Sequence, residues 1–133
     1  MKILTDENLG ERYGKVLALC YKNIDPSHFL QYFDSGVKDP KWIEVISTWR
    51  PRPVIVTADK AMLNKRSIEL RSMKQSGAHF VIFSESWMTT DFPGQSWRLI
   101  KLWPRIREAI EETPGQVILK VDIIRQRVTA LDI

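Results

Sequence analysis

Lys2-Ile3-Leu4-Thr5-Asp6-Glu7-Asn8 opens the chain, and Pro53-Val54-Ile55-Val56-Thr57-Ala58-Asp59 repeats its form: a short apolar run that ends on acid. In an open parallel sheet, side chains at the C-terminal ends of different strands converge in one crevice. Carboxylates delivered there by two strands repel one another unless a cation neutralises them. Asp6 and Asp59 therefore read as the start of a divalent-metal site, and the two runs read as strands of one parallel sheet.

The rest of the chain alternates between the two periods expected of such a sheet. Leu9, Tyr13, Val16, Leu17 and Cys20 keep helical spacing, which predicts a first helix over about residues 9–21 with Cys20 in the core. An extended segment follows over 24–33, kept short by Pro26, and then a loop around Gly36. Asp39-Pro40 reads as an N-cap followed by proline at the first helical position, and Trp42, Val45, Ile46 and Trp49 form one apolar stripe. Val54-Ile55-Val56 has no polar alternation, as expected of a strand covered on both faces. A polar helix is expected over about 65–75, ended by Ser76-Gly77, then a second buried strand at His79–Phe83.

The next helix carries Leu99, Leu102, Trp103, Ile106 and Ile110, with Pro104 expected to kink or restart it. Residues 116–121 and 128–133 read as the last extended segments. The whole reads as one domain, residues 1–133: an α/β protein, a three-layer α/β/α sandwich with a mainly parallel central sheet.

Composition narrows the function. At 133 residues and 44% hydrophobic, the chain can bury a core, and no apolar run nears the roughly 18 residues of a membrane span. A cytoplasmic protein with no membrane partner is expected. Cys20 is the single cysteine, so neither an internal disulfide nor a thiolate zinc site can form, and the two histidines, His28 and His79, lie in no motif. The net charge of +4 is unevenly spread: six cations face seven acids over 1–48, seven face two over 49–76, and seven face seven over 77–133. Arg50, Arg52, Lys60, Lys65, Arg66, Arg71 and Lys74 bracket Asp59, where cations would suit a phosphodiester backbone, although a solvated helix face would look the same.

Helices that follow strands start at the edge where the strands end. Asp39 and Glu69 can therefore approach Asp6, Glu7 and Asp59, and hard carboxylate oxygens suit Mg²⁺ or Mn²⁺. Such ions support phosphodiester hydrolysis. Each acid has a plainer use: Asp6 or Glu7 as a cap of the first helix, Asp39 as a cap of its own, Glu69 as the i+4 partner of Lys65. Glu44 reads as solvent-facing, and Asn8 as orienting Asp6 or starting the helix.

Taken in order, Lys2–Leu9, Asp39-Pro40-Lys41-Trp42-Ile43, Val54–Asp59 and Glu69 resemble the PIN-like domains, relatives of the toxin ribonucleases of VapC-type toxin-antitoxin pairs. Leu102-Trp103-Pro104-Arg105-Ile106 fits the same group. The resemblance implies a Rossmann-like PIN fold and an Mg²⁺- or Mn²⁺-dependent endoribonuclease. It implies metal ligands at Asp6, Asp39 and Asp59, with Glu7 and Glu69, or Glu85, completing the acidic site. The charge distribution points to Lys60, Lys65 and Arg66 as holding the RNA backbone; the toxin-like resemblance implies a cognate antitoxin as partner, and a homodimer stays open.

Two other classes stay open. One is a receiver-type phosphoacceptor domain, with Ser84 and Lys120 as its hydroxyl and lysine, against which an acid at Asp39 argues. The other is an inactive PIN-like module that binds RNA or protein. Five tryptophans encourage that last reading, with Trp42, Trp49 and Trp103 on apolar helix faces and Trp87 the one expected to be exposed.

Overall fold

A computed structural model of the chain describes residues 1–7, 9–58 and 68–131, with the backbone alone described at Asp39, Ile68 and Glu69. Along these residues run β1 (Lys2–Thr5), α1 (Arg12–Cys20), β2 (Asp25–His28), α2 (Asp39–Ile46), β3 (Val54–Thr57), α3 (Ile68–Ser76), β4 (His79–Phe83), α4 (Phe92–Glu112), β5 (Ile118–Asp122) and β6 (Arg127–Ala130). Short 3-10 turns follow β2 and β4, at Phe29–Gln31 and Glu85–Thr89. The described strands form one sheet in the order β2-β1-β3-β4-β5-β6, parallel except for β6.

The apolar runs explain this order. All four residues of β3 and all five of β4 are buried, as strands with helices on both faces must be. Their side chains alternate between two cores. Val54, Val56, Val81 and Phe83 join Ile3 beneath α1 and α4; Ile55, Phe80 and Ile82 join Leu4 beneath α2 and α3. The architecture is the α/β/α sandwich expected. Among the described residues no helix is long and apolar enough to cross a membrane.

The chain winds outward from β1 to β2, then crosses back over β1 to β3, so the winding direction reverses between β1 and β3. Because α4 lies on the face of α1 while α3 lies on the other, the β4-α4-β5 crossover has the hand opposite to the three before it, against the usual uniformity. The result brings the start of α4 against the start of α1.

Several expectations change. Helix α1 begins at Arg12 rather than near Leu9, and Cys20 is exposed. The buried face follows Tyr13, Gly14 and Leu17, because Gly14 lets the helix sit directly on β2, where a Cβ would lie 3.2 Å from Pro26 Cβ. Cys20 is rotated away from that face. Asp39 is the first residue of α2, with Lys38 as N-cap and Pro40 second, and the helix stops at Ile46. Trp42 and Ile46 are buried, whereas Val45 is 41% exposed, so the stripe is a narrow i, i+4 pair. Trp87 is half-buried, its ring edge-on to Tyr13, and Trp97 is instead the exposed one at 52%.

Helix α4 also runs on through Pro104 without restarting. Proline lacks the N–H that would bond the carbonyl four residues back, at Ile100. That carbonyl accepts a 2.6 Å hydrogen bond from the Tyr21 hydroxyl instead, which fills the vacant position and pins α1 to α4. His79 has a comparable role at the start of β4: its Nδ1 accepts the Val117 amide at 3.0 Å, joining β4 to the residue before β5. Burial, aided by the nearby Arg52 charge, holds its pKa below the ordinary 6.5.

Two outcomes are expected. Tyr21→Phe should cost about 1 kcal/mol in urea unfolding, and less in a Pro104→Ala background, where residue 104 regains its own donor. A full-sized loss in both backgrounds would show that the hydroxyl does not substitute for the missing N–H. A ring that must stay neutral at Nδ1 makes folding lose stability as pH falls below 6.5 through the lowered folded-state value, and none is lost above 6.5 on its account. His79→Phe should flatten that segment of the stability profile while lowering the plateau by about 1–3 kcal/mol for the orphaned amide; an unchanged slope would exclude His79 as its source.

Candidate active site at the strand ends

Asp6 directly follows β1, at the reversal of winding where a sheet of this order opens its ligand crevice. It continues the ladder by one residue, its amide donating to Val56 O at 2.9 Å. This places its carboxylate beside the last residue of β3. Thr57 Oγ1 donates to Asp6 Oδ2 at 2.9 Å, and the Glu7 amide donates to Oδ1 at 2.8 Å. One oxygen is thus held from β3 and the other from the chain's own turn, so the plane of the carboxylate is set by two elements. Thr57 is fully buried and Asp6 half-buried, with its carboxylate at the crevice.

The turn after Asp6 is equally determined. Asp6 O accepts the amides of Leu9 at 3.0 Å and Gly10 at 3.3 Å, and Gly10 adopts φ +84°, a conformation that favours glycine. The N-cap of α1 is Glu11, without a side-chain cap bond, so neither Asp6 nor Glu7 caps that helix. The capping alternative for these two acids is removed. Glu7 instead accepts the Ser35 hydroxyl at 3.0 Å, which ties this turn to the loop leading into α2 and brings the Asp39 backbone to the same edge.

Of the remaining acids, Asp39 heads α2 and Glu69 is the second residue of α3, while Asp59, Lys60, Lys65, Arg66 and Asn8 lie outside the described residues. Among the described residues no three acid, histidine or cysteine side chains gather closely enough to hold a metal ion. Asp6 is the described member of the expected donor set that is both fixed and at the crevice. Sequence reasoning assigned no role to Thr57 or Ser35. The available signal for Thr57 was its place as the last residue of a buried strand, where a hydroxyl needs a partner.

The basic segment divides differently from the sequence reading. Arg50 and Arg52 precede β3 and so lie at the opposite end of the sheet from Asp6. Arg50 Nη1 donates to Ser47 O and Trp49 O, and Arg52 Nη1 to Gly77 O. Lys74, in the last turn of α3, is also remote from the strand C-termini. These three lie away from Asp6.

At the ends of β4 and β5 a second polar chain runs Ser84 Oγ to Ser86 Oγ at 3.0 Å and Ser86 Oγ to Asp122 Oδ1 at 2.8 Å. Burial alone would raise the Asp122 carboxyl, but the Arg125 amide and the Ser86 hydroxyl outweigh it and hold the pKa below its ordinary value. Ser84 is thereby engaged away from Asp6 and Lys120 sits exposed in mid-strand, which removes the hydroxyl and lysine of the receiver reading from the site. Glu85 is exposed at the head of its 3-10 turn.

Beside the crevice, Tyr13 closes the gap between α1 and α4. Its hydroxyl donates to Gln95 Oε1, and Gln95 Nε2 donates to Trp87 O at 2.7 Å and Thr90 O at 3.0 Å. Burial raises the Tyr13 pKa against the pull of Arg12, so the phenol stays a donor.

No curated protein and no solved structure matches the chain. A family model described as a PIN like domain matches residues 1–85, which takes in β1 to β4 and the whole Asp6–Thr57 arrangement, and leaves α4, Leu102–Ile106 included, beyond the match. With well over half its length so matched, and with the strand order and acidic strand end found here, the chain belongs to the PIN-like domain family.

Proposed function

We propose that this PIN-like domain is a metal-dependent endoribonuclease resembling the toxin of a bacterial toxin-antitoxin pair. The observation that carries the reading is the Asp6 carboxylate, fixed by Thr57 and the Glu7 amide at the point where the sheet's winding reverses. A carboxylate held by two donors from two elements is preorganised, which is worth more at a reacting centre than on a solvated surface.

The residues fit a hard divalent cation. Asp6, with Asp39 at the head of α2 and Asp59 two residues beyond Thr57, would supply carboxylate oxygens to Mg²⁺ or Mn²⁺. When bound, such an ion supplies an activated water and offsets charge at the phosphodiester. The chain's own residues would fix the first donor: Thr57 keeps Asp6 in one orientation, the Gly10 turn keeps Asp6 at the strand end, and Ser35 holds Glu7 beside it. Glu69 completes the acidic set, and Lys60, Lys65 and Arg66 contact the RNA backbone. A cognate antitoxin is the protein partner that fits this reading.

The test is cleavage of a labelled mixed RNA pool with Mg²⁺ or Mn²⁺. Asp6→Asn and Asp59→Asn should each lose more than about 100-fold of the rate, while Thr57→Val, which keeps shape and removes one donor, should lose about 10- to 100-fold. In Asp6→Asn the side-chain amide oxygen can still accept the Glu7 N–H, and its nitrogen can donate to the Thr57 hydroxyl. A purely structural Asp6 would therefore leave cleavage intact in that variant. Wild-type inactivity across the pool would favour the inactive binding module.

A further inference from the structure

The described cations from the basic middle of the chain lie largely away from the acidic edge, which raises the question of what grips an anionic strand there. Arg12 stands at that edge. It is the first residue of α1, six residues after Asp6, and it is exposed. Its guanidinium carbon lies 4.0 Å from the centre of the Phe92 ring, at the first residue of α4, and Phe92 is itself held edge-on by Tyr13 at 5.2 Å. The platform exists because α4 crosses on the α1 face.

A guanidinium held over a ring face keeps its five N–H donors available to other partners. Among the described residues no carboxylate pairs with Arg12. The neighbouring Glu11 is taken by Lys15 at 3.0 Å, and Asp91 caps α4 through the Gly94 amide at 3.0 Å. A planar fork left with its charge matches the geometry of a phosphate.

We infer that Arg12, stacked on Phe92, is a positioning residue that binds a backbone phosphate of single-stranded RNA and leads the strand across the starts of α1 and α4 towards Asp6. The inference rests on the ribonuclease reading and adds a strand path on the α1 side of the sheet.

The test uses the full chain carrying Asp6→Asn, so that RNA survives, and a fluorescein-labelled single-stranded RNA of mixed sequence read by anisotropy between about 50 and 200 mM KCl. Arg12→Ala should weaken binding roughly 3- to 10-fold and lower the slope of log affinity against log salt by about 0.7, one single-strand phosphate. Arg12→Lys should keep the slope and lose part of the affinity, because charge remains and the fork does not. Arg98→Ala is the control: Arg98 also lies over an aromatic ring, at 4.3 Å from Trp97, but it is half-buried and its Nη1 already donates to Gly94 O at 2.9 Å.

An Arg12 that merely packs would shift the thermal midpoint and leave the slope alone. Equal effects of Arg12→Ala and Arg98→Ala, or none from either, would overturn the inference while wild-type cleavage still upheld the ribonuclease reading. If the Asp6→Asn chain binds no RNA and the wild type cleaves none, both fall together.

Discussion

Everything at the crevice depends on the burial of β3 between two helical layers. Four residues, Val54 to Thr57, carry side chains alternately into two separate cores, and both neighbours of the strand are parallel. A slip of one residue against β1 would exchange the two faces and place each apolar side chain in the wrong core. The register is therefore held by the whole hydrophobic interior. It is also what sets Val56 opposite Thr5, lets the Asp6 amide reach Val56 O, and leaves Thr57 beside the Asp6 carboxylate. The precision of the acidic edge is inherited from core packing.

The long helix α4 shows how the fold accommodates two locally unfavourable features. Its crossover takes the less common hand, and its middle contains a proline. Both are compensated by α1. The two helices share the face beneath which Trp103, Leu102 and Ile106 are buried, and Tyr21 supplies the hydrogen bond that Pro104 cannot. The same pairing creates the Tyr13, Phe92 and Arg12 stack beside the crevice, so a packing solution also shapes the surface next to the acids.

Charge follows topology rather than sequence neighbourhood. Arg50 and Arg52 are within ten residues of Asp59 in the chain, yet a strand of four residues, about 13 Å long, separates their end of the sheet from the crevice. Arg12, by contrast, belongs to a segment with no excess of positive charge and nevertheless stands at the crevice edge.

The layers were legible in the amino-acid pattern: the unbroken apolar runs of β3 and β4 and the helical spacing of Tyr13 and Leu17, Trp42 and Ile46, and Leu99 to Ile110 state which elements form and which faces they bury. The pattern also drew attention to Asp6, which the fold places directly after β1 at the reversal of winding. Cys20 and Val45 were misread because periodicity gives an apolar face only to within one or two positions, and the close approach allowed by Gly14 decides which side of α1 is covered. The exposure of Trp97 and the partnerships of Thr57 with Asp6, Ser35 with Glu7 and Tyr21 with Ile100 arise only once the chain is folded. Each joins residues more than 25 apart or depends on which face a crossover takes, and local pattern carries no information about either.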